Sequence, residues 1–188
     1  PSQAKTIAQY EAEAVRLVNF GLILLPGLLQ TQSYTRALMS SGCVPASDIE
    51  ARVNLRLERQ RVLDKAEPPR LVAFLDEAVL HRRFGGRRVM ADQLRHLLKM
   101  ADRPSVELRV IPFDHGGHAG VDGAYVLLEF GTARPVVHLE HRSSGLFLDE
   151  PADVDPYVEA TASLAAVALD AEQSTELVAD TLDAYQRE

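Results

Sequence analysis

Residues 103–141, RPSVELRVIPFDHGGHAGVDGAYVLLEFGTARPVVHLEH, limit the possible folds more than any other stretch. Residues 106–113, 125–130 and 136–140 are rich in β-branched and aromatic side chains, and Gly, Pro and Asp punctuate the gaps between them. This pattern predicts three strands in the middle of a sheet. Between the first two lies the segment 114–123, with four glycines that permit unusual backbone angles and two histidines, His115 and His118, that offer ring nitrogens. That loop is the first candidate for a recognition surface.

The flanking segments supply the rest of a mixed architecture. The nearly unbroken apolar run at 70–75 reads as a strand covered on both faces, and the helical spacing of Met90, Leu94, Leu97, Leu98 and Ala101 predicts a helix over 87–101. Strand, helix, strand over this length predicts a parallel crossover. The five residues 131–135 are short enough for an antiparallel hairpin, and 145–148 fits a short edge strand. Helices are predicted at 2–20 and 32–40, and from a Ser47-Asp48-Ile49-Glu50 capping box to about Lys65. Two more are predicted, from Pro151 to Ala168 on a face of Val154, Val158, Thr161, Ala165 and Ala168, and after an Asp170–Gln173 cap. The expected class is α+β with an α/β-like core, a small mixed sheet of four to five strands flanked by N-terminal and C-terminal helices. One domain over 1–188 is expected, mainly helical over 1–66, sheet-bearing over 67–148 and helical again over 149–188.

With 46% hydrophobic residues in 188, the chain can bury one sizeable core. The longest apolar run, 22–29, is interrupted by Pro26-Gly27 and falls far short of the roughly 20 residues of a membrane helix. A single cysteine, Cys43, fits a reducing cytoplasm and rules out a cysteine-based zinc motif. Residues 1–100 carry 15 Lys or Arg against 10 Asp or Glu, and the remainder carries 5 against 17. A net acidic chain is a poor stand-alone DNA binder, so no sequence-specific binding is expected at physiological salt. Arg52, Arg56 and Arg59 follow one helical stripe and can pair with phosphates, carboxylates or the acidic C-terminal helices, the last being favoured. The first residue, Pro1, points to a fragment or a processed protein.

Chemistry is harder to place. His115, His118, Asp114, His138, Glu140 and His141 are ligand types within thirty residues, but they lack the helical spacing that orients zinc ligands, so no metal or cofactor is assigned. No nucleophile elbow, phosphate loop or dinucleotide fingerprint is present. Were the chain an enzyme, Glu77, His115, His118 and Glu140 would be its catalytic candidates.

The string from Leu25 through Pro26-Gly27-Leu28-Leu29-Gln30-Thr31 with Tyr34 and Arg36, then Arg56 to Gln60, Asp76 to Leu80, Gly85-Gly86, Gln93-Leu94 and Val110 to Phe113 through His118-Ala119-Gly120 resembles the C-terminal domain of WhiJ-like regulators of actinomycetes. The resemblance spans about 10–174. It implies an antitoxin-like effector domain that senses a small molecule or a small partner protein. In that family an N-terminal helix-turn-helix module, not visible in this chain, binds DNA. His115, His138 and His141 depart from the family's usual small, aromatic and small polar residues.

The leading expectation is therefore the regulatory effector domain of a cytoplasmic transcriptional regulator, with a homodimer allowed. Its ligand site is expected from Gln30, Thr31, Tyr34, Arg56, Arg59, Glu77, His118, Gly120 and Glu140, the 114–123 loop facing residues 26–31 and Glu77. The alternatives are a transferase or ligase on the same scaffold and a plain protein-interaction module.

Overall fold

A computed structural model of the protein describes residues 2–42, 44–141 and 144–187; Cys43 lies outside them. The strands are β1 Arg16–Gly21, β2 Arg70–Asp76, β3 Val106–Ile111, β4 Tyr125–Glu129, β5 Val136–Glu140 and β6 Gly145–Leu148. They form one sheet in the order β3-β2-β1-β4-β5-β6. β1, β2 and β3 are mutually parallel, whereas β4, β5 and β6 each run antiparallel to the preceding neighbour. The helices are α1 Ser2–Glu13, α2 Gln32–Ser41, α3 Ala46–Gln60, α4 Ala78–His81, α5 Gly86–Ala101, α6 Pro151–Val167 and α7 Ala171–Arg187. The class is α+β with a mixed sheet, and both the β2-α5-β3 crossover and the β4-β5 hairpin are present. No described helix is long and apolar enough to cross a membrane.

The sixth strand corrects the sequence reading. Residues 2–20 predict one helix, yet α1 stops at Glu13 and β1 starts at Arg16. Leu17 and Val18 fit a helical stripe, but a strand covered on both faces also shows no alternation, so periodicity does not separate the two. Tertiary pairing decides, because β1 lies between β2 and β4 with its backbone paired on both edges. β1 is thus the seam between the parallel and antiparallel halves. It displaces β3 to the sheet edge, although residues 106–113 read as a middle strand.

That edge is sealed. Val110 accepts from Leu169 N at 2.8 Å and donates to Ser174 Oγ at 2.9 Å, while Arg109 donates to the carbonyls of Ala165 and Ala168 at the end of α6. The arginine thereby satisfies carbonyls that a helix C-terminus leaves without partners. Asp170 and Gln173 cap α7 reciprocally at 2.8 and 3.2 Å, as predicted. The Ser47–Glu50 box does not form: α3 is capped by Pro45, Ser47 Oγ bonds Asp48, and Glu50 instead pairs with Arg36 through two bonds of 2.6 and 3.0 Å. Starting the helix at Ala46 moves Ser47 past the capping position.

Each sheet face carries its own core. On one, Leu17, Leu71, Leu75 and Val110 pack with Leu28, Leu29, Leu94 and Val178. On the other, Val18, Phe20, Phe74, Tyr125 and Val137 pack with Val154 and Leu164 of α6. The buried stripe of α6 is Val154, Tyr157, Thr161 and Leu164, while Val158 and Ala165, predicted to face inward, are exposed.

Candidate functional site

Three glutamines fasten the PGLLQT turn to its neighbours. Gln30 donates to Leu25 O at 2.7 Å and accepts from Thr35 and Arg56 at 3.0 and 2.8 Å. Gln60 donates to the carbonyls of Gly27 and Gln30, and Gln93 donates to Leu29 O while accepting from Thr31 N. Thr31 Oγ1 also caps α2 by accepting from Tyr34 N, and the buried Tyr34 hydroxyl accepts from Leu25 N. Burial raises the Tyr34 phenol above its usual range, opposed by that hydrogen bond and by Arg56 and Arg82. Each of these side chains satisfies backbone that a buried turn would otherwise leave unpaired.

Beside this knot, Arg59 meets the buried Glu11 carboxylate of α1 in two parallel bonds of 3.0 and 2.6 Å. Arg56 has an uncharged amide as its close partner, and burial pushes its pKa down, with Glu140 opposing. The arginines therefore hold α3 to the N-terminal helix and the PGLLQT turn, not to the acidic C-terminal helices that the charge asymmetry favoured. Long-range charge totals carry a sign but no position.

His138 lies on the same face, buried, its ring 4.6 Å from that of Phe147. Burial pushes its pKa below 6.5, Glu140 opposes this, and Arg59 adds to it. The fold thus favours the neutral ring, so the unfolded chain takes up the proton first as the pH falls. This contribution to stability is complete above the unfolded value and is lost as the pH falls below it toward the lowered folded value. His96 has the same sign through burial, Lys99 and Arg103. Between about pH 7 and 5, His138→Gln is expected to show a shallower fall of Tm than the unsubstituted chain. Parallel curves would remove His138 from this account.

On the opposite face, the glycine-rich loop is pinned at two points. His118 Nε2 lies 3.0 Å from Asp76 Oδ2 and its Nδ1 accepts from Gly120 N at 3.1 Å, which assigns the ring proton to Nε2. With its side chain 3% exposed and both nitrogens occupied, His118 is a staple. Gly120 lies over Phe20 so closely that a Cβ would stand 2.3 Å from the ring. From there an aromatic series runs through the sheet end. Phe20 contacts His118 and Tyr125 at 5.6 and 5.9 Å between centroids, and Tyr125 meets Tyr157 edge to face at 5.1 Å.

The pinned loop walls a cavity of about 630 Å³ between residues 119–125, the end of β5, β6 and α6. Thr161 spends its one hydroxyl proton on Tyr157 O, so the Tyr125 hydroxyl donates to Thr161 Oγ1 at 2.8 Å. Tyr125 is thereby fixed, and burial raises its pKa, with the Thr161 bond opposing. Leu139, Leu148 and Pro156 supply apolar wall, while Asp122, Glu140, His141 and Asp153 supply polar lining. The volume falls within the range of small-molecule sites, roughly 300–1,000 Å³.

A family model described as a domain of unknown function (DUF5753) matches residues 4–180. The chain belongs to that family. No curated protein and no solved structure matches it.

In this DUF5753 chain the residues expected to form one site divide between two faces. Gln30, Thr31, Tyr34, Arg56 and Arg59 surround the PGLLQT knot, with Glu140 acting on both arginines through space. His118 and Gly120 belong to the loop, which faces Phe20 and Asp76; residues 28–29 pack into the other core. Glu77 accepts from Phe113 N at 2.8 Å and lies 3.2 Å from His81, so Asp76, not Glu77 or Glu140, fixes the His118 tautomer. His115 is exposed in a single turn, and Glu140 lies among the residues that line the cavity. Among the described residues no cluster of three or more His, Cys, Asp or Glu is placed to hold a metal ion. The sequence reading missed Tyr125, Tyr157 and Thr161. Their signal was available in the spacing of Val154, Tyr157 and Thr161 on α6.

Proposed function

We propose that this DUF5753 chain is a regulatory effector domain whose small-molecule site is the cavity between the pinned loop and α6. It acts in the cytoplasm for a transcriptional regulator of the WhiJ-like kind, with DNA contact made by a helix-turn-helix module outside residues 1–188. The observation that carries the reading is the cavity itself, walled by a loop that Asp76, His118 and Phe20 hold in place. The residues that support the WhiJ-like resemblance, Gln30, Thr31 and His118-Ala119-Gly120, support the same reading indirectly: they hold the PGLLQT turn and the loop, and Ala119 lines the cavity itself. A small partner protein is the second reading of the effector role. A concave site of this volume favours a small molecule over it. An enzymatic role on this scaffold has less support, since Glu77 and His118 are bonded to different partners and His115 is exposed.

Melting curves with a panel of small amines, carboxylates, phosphates and neutral aromatics test the proposal. Ligands that raise the Tm of the unsubstituted chain should fail to raise that of Ala160→Phe, whose added ring fills the cavity from α6. Equal shifts in both proteins, or no shift with any class, would refute it.

A further inference from the structure

The carboxyl end of the parallel half-sheet carries an exposed surface apart from the cavity. β1, β2 and β3 run parallel in the order β3-β2-β1, so the segment leaving β2 lies between those leaving β1 and β3. On either side of it large apolar side chains stand in solvent, Phe113 after β3 at 55% exposure, and Ile23 and Leu24 after β1 at 46% and 39%. Single exposed apolar groups are ordinary on a protein surface, whereas several gathered at one end mark a contact. Between them runs the segment 78–91, which holds four arginines, one histidine and no acid in a chain of net charge -7. His81 stacks on Phe113 at 5.6 Å between ring centroids, and Arg82 acts through space on the Tyr34 hydroxyl, which accepts from Leu25 N. The basic segment thereby bridges the two apolar groups. Arg82 and Arg88 are exposed, while Arg83 lies over the Tyr185 ring and Arg87 donates to Tyr185 O at 2.6 Å. Of the neighbouring acids, Asp76 is held by His118 and Glu77 by Phe113 N, which leaves Asp114 as one exposed carboxylate against the arginines.

We infer that this surface docks an acidic amphipathic helix of a partner protein. The apolar stripe of such a helix covers Phe113, Ile23 and Leu24, and carboxylates beside the stripe meet the guanidinium groups of Arg82 and Arg88. Apolar contact supplies the bulk of the attraction, and the arginines select the sign and orientation of the partner. The occupant is narrow. α7 ends beside this surface, as the Arg87 bond to Tyr185 shows, and it exposes Asp180 and Asp183 close to that end. A broad polyanion, duplex DNA or an anionic membrane, would bring phosphates against those carboxylates, whereas a single helix about 10 Å across can lie on the arginines alone. The inference does not rest on the reading of the cavity, since α6 takes no part in this surface.

The probes are three helical peptides of about 14 residues, one with a leucine stripe flanked by glutamates, one with lysine for each glutamate, and one with serine for each leucine. Each is titrated calorimetrically into the full chain at physiological ionic strength, with amide resonances of residues 22–25, 81–88 and 113 followed in parallel. The leucine-glutamate peptide is expected to bind at least about tenfold more tightly than either of the others and to leave the α6 resonances unmoved. Arg82→Gln combined with Arg88→Gln should weaken it about fivefold or more at unchanged Tm, because both side chains are exposed. Phe113→Ser should do the same, and Leu24→Ser is the second apolar variant should Phe113→Ser lower the Tm. Equal binding of the lysine peptide, or full affinity in the double arginine variant, would overturn the acidic class of the partner. Silence of those resonances with the leucine-glutamate peptide would overturn the docking surface itself. Movement of the same resonances by a DNA duplex or by vesicles of anionic lipid, with that peptide silent, would replace it with a polyanion site.

Discussion

Arg59→Ala is expected to destabilise the protein by about 3–5 kcal/mol, the usual consequence of removing one partner of a buried ion pair. Glu11 is only 3% exposed on its side chain, and both of its oxygens are bound by the same guanidinium. Truncating Arg59 leaves a carboxylate inside with no comparable donor, and the cost is that of the stranded charge more than of the lost contact. The pairing of the two substitutions separates these effects. Arg59→Met with Glu11→Met should recover most of the loss in urea unfolding, because well-packed apolar replacements of a buried pair are often neutral. A loss below about 1 kcal/mol for Arg59→Ala would place the pair among ordinary surface bridges.

Gly120→Ala is the second large expected effect, about 1–3 kcal/mol from overpacking. The new methyl would meet the Phe20 ring, which is fully buried and hemmed by His118 and Tyr125, so neither the ring nor the loop can yield cheaply. The loop should lift, and with it the wall formed by Ala119 and Asp122. Gly117→Ala is the matched control, since a Cβ there meets nothing within 4 Å, and it should lie within about 0.5 kcal/mol of the unsubstituted protein. Equal melting of the two variants would show that the close approach of Gly120 to Phe20 does not constrain the loop.

Much of the fold is legible in the chain because its boundaries carry local chemistry. Pro151 opens α6, the Asp170–Gln173 pair caps α7, and Gly and Pro bracket β4 and β5. β1 is not legible by the same means. Its six residues are short, apolar and covered on both faces, so the only signal that separates them from the end of α1 is pairing with β2 and β4, far away in the chain. The candidate site shows the same division. The loop stands out through its glycines, yet what they are for depends on contacts across long separations, Gly120 on Phe20 and His118 on Asp76. Arg59 reads as one of three aligned arginines, and nothing local to it names Glu11 as its partner. The polar motifs most visible in the chain prove to be the ones that hold backbone in place, and the cavity is lined by less conspicuous residues such as Ala119, Tyr125 and Ala160.

The most direct test of the account is a map of where small molecules settle on the protein. A fragment collection of mixed charge, screened against the isotope-labelled chain by amide chemical shifts, is predicted to move resonances of residues 119–125, 139–141 and 152–160 together, the cavity's walls. Shifts centred instead on Gln30, Arg56 and Arg59, with the loop and α6 unmoved, would contradict it and transfer the site to the other face of the sheet.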